Sequence, residues 1–180
     1  DKNMLPKAMT DKFAQAQYNA PPLSYPLVVK TFRQMFGKTP TELFDCFEKE
    51  AKHAASIGQV HLATQGNLKL AVKVQYPGVA DSVKSDLKLV KPIAMQMLHM
   101  KEKEIKQYMQ EIEGKLLEET DYVLELKQSM EVASACSGLN GVYFPKYYPE
   151  LSNKRIITMD WIEGMHLKDF LATNPSQEIR

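Results

Sequence analysis

Between Leu68 and Gln75 the chain alternates strictly. Leu68, Leu70, Val72 and Val74 fall on one side of an extended backbone, and Lys69, Ala71, Lys73 and Gln75 fall on the other. A second β-rich run, VHLAT, precedes it across QGN, where Gly66 permits a tight reversal. The two runs predict a β-hairpin with one apolar face and one face that sets a small residue beside cations. Elsewhere the period lengthens. PKAMTDKFAQAQYN is rich in helix formers and must end at Pro21 and Pro22. Ser24 is placed to cap a second helix carrying Leu27, Val28, Phe32, Met35 and Phe36, with Gly37 as its stop. Thr39, Pro40 and Glu42 spell the start of a short third helix through Phe44. Beyond YPGV the chain turns helical over residues 79–137, with Ile105, Tyr108, Ile112 and Leu116 as its apolar stripe. VYFPKYYPEL then reads as a connector and KRIITMDWIEG as a further strand.

Composition narrows the classes. With 180 residues, 44% of them hydrophobic, the chain can bury a good core, which excludes collagen-like, disulfide-scaffold and wholly disordered proteins. Lysines and arginines number 23 against 22 acidic residues, a net charge of +1, so no global field draws nucleic acid, which is not expected as a partner. Locally the charge is uneven: Lys84, Lys88, Lys91, Lys101, Lys103 and Lys106 crowd one stretch, and Glu111, Glu113, Glu118, Glu119, Asp121 and Glu125 the next. Such runs are solvated helix faces or, for the lysines, a partner or membrane surface. Cys46 and Cys136 form no CxxC pair, which predicts buried free thiols in a reducing compartment. No stretch approaches the about 18 apolar residues of a membrane span, and no signal peptide is evident, so a cytoplasmic-side location is expected. His53, His61, His99 and His166 show neither i,i+4 pairing nor HExxH, and no metal site is expected in the chain.

The chemistry concentrates on the hairpin. HAASIGQVHLAT followed by LAVKVQ has the layout of a nucleotide-binding hairpin: a small-residue loop, a strand, a turn, and a strand bearing one lysine. Ala71 and Lys73 project from one face, so a flat base can lie on the alanine while phosphates reach the ammonium. Val60 on the partner strand can close over the base. Taken alone, Lys73 reads rather as the solvent-facing residue of an edge hairpin. Against the kinase loop GxGxxGxV, His53, Ala55 and Gly58 take the glycine places and Val60 the valine place. AASIGQVH, AVKVQYPGV, ETDYVLE, FPKYYPELS and RIITMDWIEG occur in one order, and together they resemble the UbiB/AarF (ADCK-type) family of atypical kinase-like proteins. The likeness runs from about Leu5 to Phe170; Ala54, Ala55 and Ser56 match the family's alanine-rich loop, whereas His53 departs from it.

The resemblance implies an α+β fold, a protein-kinase-like N-terminal lobe with a small antiparallel sheet and a C-helix. A helical extension would occupy 1–46, the lobe 47–164 with a helical insert at about 79–118, and the start of a large lobe 165–180. Lys73 becomes the phosphate-binding lysine, Glu125 its ion-pair partner on the C-helix equivalent, and Glu119 and Asp121 the family's ExD motif. Ala54, Ala55, Ser56, Gly58, Gln59, Val60 and Ala71 become nucleotide contacts, Gly58 keeping close backbone approach and His53 adding a titratable group beside the phosphates. Met159 stands at the gatekeeper place, with the backbone of Asp160 and Ile162 reading adenine, and Trp161 as packing or ligand contact. The implied ligand is ATP or ADP with Mg²⁺. The family's KxGQ motif would precede LPKAMTDKF, and the catalytic and metal-binding segments would follow the hinge, so a lobe of a longer protein is expected. That parent would be an atypical kinase or ATPase supporting isoprenoid-quinone (ubiquinone-type) biosynthesis. Its partners would be an adenine nucleotide, the large lobe, and a membrane surface or quinone-biosynthesis proteins. The rival reading is a non-enzymatic helical interaction or membrane-surface scaffold domain, with the hairpin as support.

Overall fold

The computed structural model describes residues 23–98, 102–165 and 167–173; the helix expected over PKAMTDKFAQAQYN lies outside them. Strands β1 (Cys46–Phe47), β2 (His53–Ala55), β3 (Gly58–Gln65), β4 (Leu68–Gln75) and β5 (Ile156–Asp160) form one antiparallel sheet. Its order is β1-β3-β4-β5, with β2 pairing the near end of β3 and β1 the far end. The helices are α1 (Tyr25–Phe36), α2 (Pro40–Leu43), α3 (Val79–Leu98), α4 (Glu102–Glu119), α5 (Tyr122–Ala135) and α6 (Leu167–Ala172). The architecture is α+β, a small antiparallel sheet with helices, as in a kinase-like N-terminal lobe.

Gln65 pairs with Leu68, so the β3–β4 turn is the two residues Gly66 and Asn67 rather than three. Gly66 takes φ 55, a left-handed conformation that a side chain would resist. The alanine-rich segment is itself a strand: His53 pairs with Val60, Ala54 with Gln59 and Ala55 with Gly58, turning at Ser56–Ile57. Loop and hairpin are therefore one meander, β2-β3-β4.

Alternation in β4 sends Leu70, Val72 and Val74 into a core shared with Ala63, Ile156, Tyr148, Phe47, Phe44, Phe32 and Val28. Because α1 and α2 contribute to that same core, the boundary expected after residue 46 is not a break in packing. Leu27 and Leu68, expected on apolar faces, are exposed at the solvent side of α1 and beside the hairpin turn. Gly37 ends α1 at φ 70, its N–H donating to the Arg33 carbonyl. Ser24 precedes the helix without a side-chain cap, whereas the Thr39 amide donates to the Glu42 carboxylate at 2.7 Å. In α4 the buried residues are Ile105 and Met109, one turn apart; Tyr108 and Leu116, placed in the stripe from sequence, are exposed because α4 packs on α3 along a rotated face. Cys46 is exposed and Cys136 half-buried, both free, not buried as expected; on β1 it is Phe47 that takes the inward position.

His61 and Gln59 are the polar residues that this core encloses on β3. His61 Nδ1 lies 2.8 Å from the Glu48 carbonyl oxygen, which can only accept, so Nδ1 carries the proton. Nε2 then accepts from the Gln59 amide at 2.8 Å. Gln59 Oε1 in turn accepts from the Leu23 amide at 2.7 Å, and Nε2 donates to the Leu23 carbonyl at 3.2 Å. The chain of bonds requires neutral imidazole, and burial holds His61 below its ordinary value of 6.5. The unfolded chain therefore binds the proton first as pH falls. Stability should be level above about pH 6.5 and decline below it. His61→Phe should lower the urea midpoint at pH 7.5 yet flatten its fall between pH 7.5 and 5; an unchanged slope would show that another group sets it.

Candidate functional site

The face of β4 opposite the core carries the candidate chemistry. Register aligns Val60, Lys73 and Ile157 in one row across β3, β4 and β5, and Leu62, Ala71 and Met159 in the next. Lys73 leans toward α5, where Nζ donates to both Glu125 oxygens at 2.6 and 3.0 Å. The lysine side chain is 15% exposed and the carboxylate 36%, so the pair borders solvent rather than core. The ammonium also lies 4.7 Å from the centroid of the Tyr122 ring. Tyr122 is a site residue that the sequence reading passed over. Its signal was the i,i+3 spacing to Glu125, which puts both on one helix face.

The residues before Tyr122 place α5. Asp121 is its N-cap, one carboxylate oxygen accepting from the Val123 and Leu124 amides at 3.1 Å each. The Thr120 carbonyl accepts from the Gln75 side chain at 2.8 Å, tying the α4–α5 joint to β4. Glu119, at the end of α4, is exposed and joins Lys115, Glu118, Glu125 and Gln128 around a cavity of about 350 Å³. The structure thus brings Glu119 and Glu125 to one mouth, while the Asp121 carboxylate is engaged by backbone.

The β2–β3 end differs from the reading in three respects. Gly58 is buried, and a Cβ there would collide with the Val74 carbonyl oxygen and stand 2.9 Å from the Tyr122 hydroxyl. The close approach that requires glycine here is to the β4 backbone and the Tyr122 hydroxyl. Gln59, taken as a nucleotide contact, has its side chain on the core face, occupied by Leu23 and His61. His53 stacks on Trp161, centroids 5.6 Å apart and planes at 21°, which sets its ring at the hinge end of the hairpin and not beside the phosphate turn. Its backbone pairs with Val60, in the row of Lys73, and it is the ring that reaches the hinge. Ala54 and Ser56 are exposed and Ala55 half-buried along that arm.

At the hinge, Met159 pairs with Ala71, and the Trp161 amide donates to the Lys69 carbonyl at 2.9 Å. The Asp160 amide donates to the Lys146 carbonyl at 2.9 Å, while its carboxylate accepts from the Tyr148 hydroxyl at 2.8 Å and the Lys146 amide at 3.1 Å. Burial and this carboxylate push the Tyr148 phenol up to about 12. Asp160, Trp161, Ile162 and Lys69 line a cavity of about 470 Å³. Among the described residues no group of three or more His, Cys, Asp or Glu could hold a metal ion.

Residues 15–179 match a family model described as the ABC1 atypical kinase-like domain. Over its whole length the chain is 32% identical to the probable serine/threonine-protein kinase abkA of Dictyostelium discoideum, of which it spans 34%. Across 93% of the chain it is 28% identical to the probable protein kinase UbiB of Haemophilus ducreyi, covering 33% of that protein. The chain thus spans about a third of the length of these relatives. The solved complex of Rv3197 with erythromycin from Mycobacterium tuberculosis shares the fold, with a TM-score of 0.71 over 98% of this chain and 46% of that one, at 24% identity.

If Asp121 acts through its cap, charge is dispensable but the acceptor is not. Asp121→Asn should stay within a few tenths of a kcal/mol of the parent in stability, and Asp121→Ala should lose about 1 kcal/mol. Equal losses in denaturant titrations of the two variants would refute the capping role.

Proposed function

Because the chain belongs to the ABC1 atypical kinase-like domain family, we propose that it is the nucleotide-binding lobe of an atypical kinase or ATPase of the UbiB type. The observation that carries this reading is the Lys73–Glu125 pair at 2.6 and 3.0 Å, on the sheet face that also bears Val60, Ala71 and Met159. In kinase-type phosphoryl transfer a strand lysine held by a helix glutamate presents its ammonium to the nucleotide phosphates. Lys73 would do so here. Ala71 offers a flat surface without a long side chain, Val60 covers it, and the backbone of Asp160 and Ile162 borders the base edge. Ala54, Ala55 and Ser56 lie on the arm above.

Mg²⁺ would neutralise phosphate charge when bound, and the family resemblance places its ligands in segments that follow the hinge. This lobe binds and orients; proton transfer and metal binding belong to the rest of the protein. Ala54 and Ala55 hold this arm in extended pairing with Gln59 and Gly58, where glycines would leave the backbone freer, which supports an altered nucleotide preference. The family resemblance extends the proposal to a parent supporting isoprenoid-quinone biosynthesis, and the free thiols Cys46 and Cys136 support a reducing compartment, on the cytoplasmic side. Calorimetric titration of the intact protein with Mg-ADP and Mg-ATP tests the reading. Lys73→Ala should weaken binding at least tenfold and Glu125→Gln by a smaller factor; unchanged affinity in Lys73→Ala would dismiss the lysine's role.

A membrane surface finds support on α3. Leu89 is 71% and Ile93 59% exposed, on adjacent turns, with Lys88 flanking Leu89 and Asp86 one turn back, whereas Lys91 lies on the far side of the helix, 3.7 Å from Glu102 of α4. No described helix is long and apolar enough to cross a membrane, so this contact would be peripheral. Leu89→Asp with Ile93→Asp and charge reversal of Lys88 should abolish sedimentation with phosphatidylserine vesicles while sparing nucleotide binding. Retained sedimentation would end this reading.

A further inference from the structure

Lys73 carries its charge on a flexible four-carbon stem, and the Glu125 carboxylate that meets it is itself 36% exposed. An ion pair between two mobile side chains is weak in water-facing surroundings and does not by itself fix an ammonium in space. The other contact is of a different kind. Tyr122 is fully buried at the first turn of α5, so its ring has little freedom. The ammonium stands 4.7 Å from the ring centroid, within the range where an aromatic quadrupole attracts a cation.

The hydroxyl explains little of this placement. Among the described residues it has no hydrogen-bond partner, although it is buried. It ends against Gly58, where even a methyl group would come within 2.9 Å of it. Burial foremost, then the nearby Glu125, Glu119 and Tyr76, push the phenol well above its ordinary range, so the ring stays neutral. The ring is therefore wedged: Gly58 lies at its polar end and Lys73 against its face.

We infer that Tyr122 is a positioning residue whose aromatic ring, not its hydroxyl, holds the Lys73 ammonium at the phosphate end of the cleft. Its consequence for ligand binding rests on the nucleotide-lobe reading above. The ring makes the β2–β3 end of the sheet and the lysine share a wall, so a displacement of α5 would move both. A residue that only filled core would make the same contacts with no dependence on ring electronics.

That difference supplies the test, made on the intact protein. Tyr122→Phe removes the unpartnered hydroxyl and should hold Mg-ADP affinity within about twofold. Replacing that phenylalanine by its 3,5-difluoro and pentafluoro analogues changes volume little but withdraws the ring's negative face. Affinity should then fall in steps, about tenfold in all, with thermal stability unchanged or raised. Lys73, labelled by reductive ¹³C-methylation and assigned by loss of its signal in Lys73→Arg, should show an upfield ring-current shift that persists in Tyr122→Phe and vanishes in Tyr122→Leu. A flat affinity across the fluorinated series in a protein that binds Mg-ADP overturns the inference, as does a Lys73 signal without the ring shift. Failure of the unsubstituted protein to bind Mg-ADP, with the ring shift present, would remove the nucleotide reading and leave the ring's hold on the ammonium standing.

Discussion

A strand with partners on both sides cannot slip. β4 pairs with β3 along its whole length and with β5 from Leu70 to Val74, so its register is held twice. A shift of one residue would turn Lys73 into the core and Val72 toward the helices. Burying Leu70, Val72 and Val74 each contributes about 1.5–3 kcal/mol, against about 0–1 for an ion pair that borders solvent. The apolar face therefore decides the register, and Lys73 takes its position as a result. Core and candidate site are two sides of one strand.

The second requirement is that α5 arrive at the right height, and residues 119–122 arrange it. Gln75 grips the Thr120 carbonyl from the sheet, Asp121 starts the helix, and Tyr122 and Glu125 follow on the face that meets Lys73. A motif of acids read as chemistry thus divides in the folded lobe. Asp121 serves the helix end, and Glu119 remains at the cavity mouth beside Glu125.

Period-two alternation in residues 68–75, the Gly37 stop and the Thr39–Glu42 cap were legible because each depends on neighbours in sequence. Glu125 was reached through a motif resemblance, since the helices between it and Lys73 hide the pairing from any local rule. Gln59 was named through the resemblance alone, which carries no information on which face its side chain takes; here its amide stands in for a strand neighbour, bonding Leu23 through both its oxygen and its nitrogen. His53 misled because the small-residue segment pairs as a strand, from which its ring reaches the hinge. The α4 stripe was off by one position because two helical faces with similar spacing compete and only packing on α3 chooses between them.

The anchoring of the hinge strand has a mechanical corollary. Asp160 is fastened through amide and carboxylate, and Trp161 through its amide to Lys69 and its ring to His53. Beyond it the ties thin, among the described residues, to one exposed ion pair, Lys69 Nζ donating to Glu163 at 2.7 Å; Gly164 and Met165 are exposed, and a side chain at Gly164 would meet nothing within 4 Å. A torque applied through α6 is therefore taken up at Gly164 and Met165 before it reaches that ion pair and the sheet. The sheet behaves as a fixed mount, and 164–165 as the pivot about which α6 can be aimed.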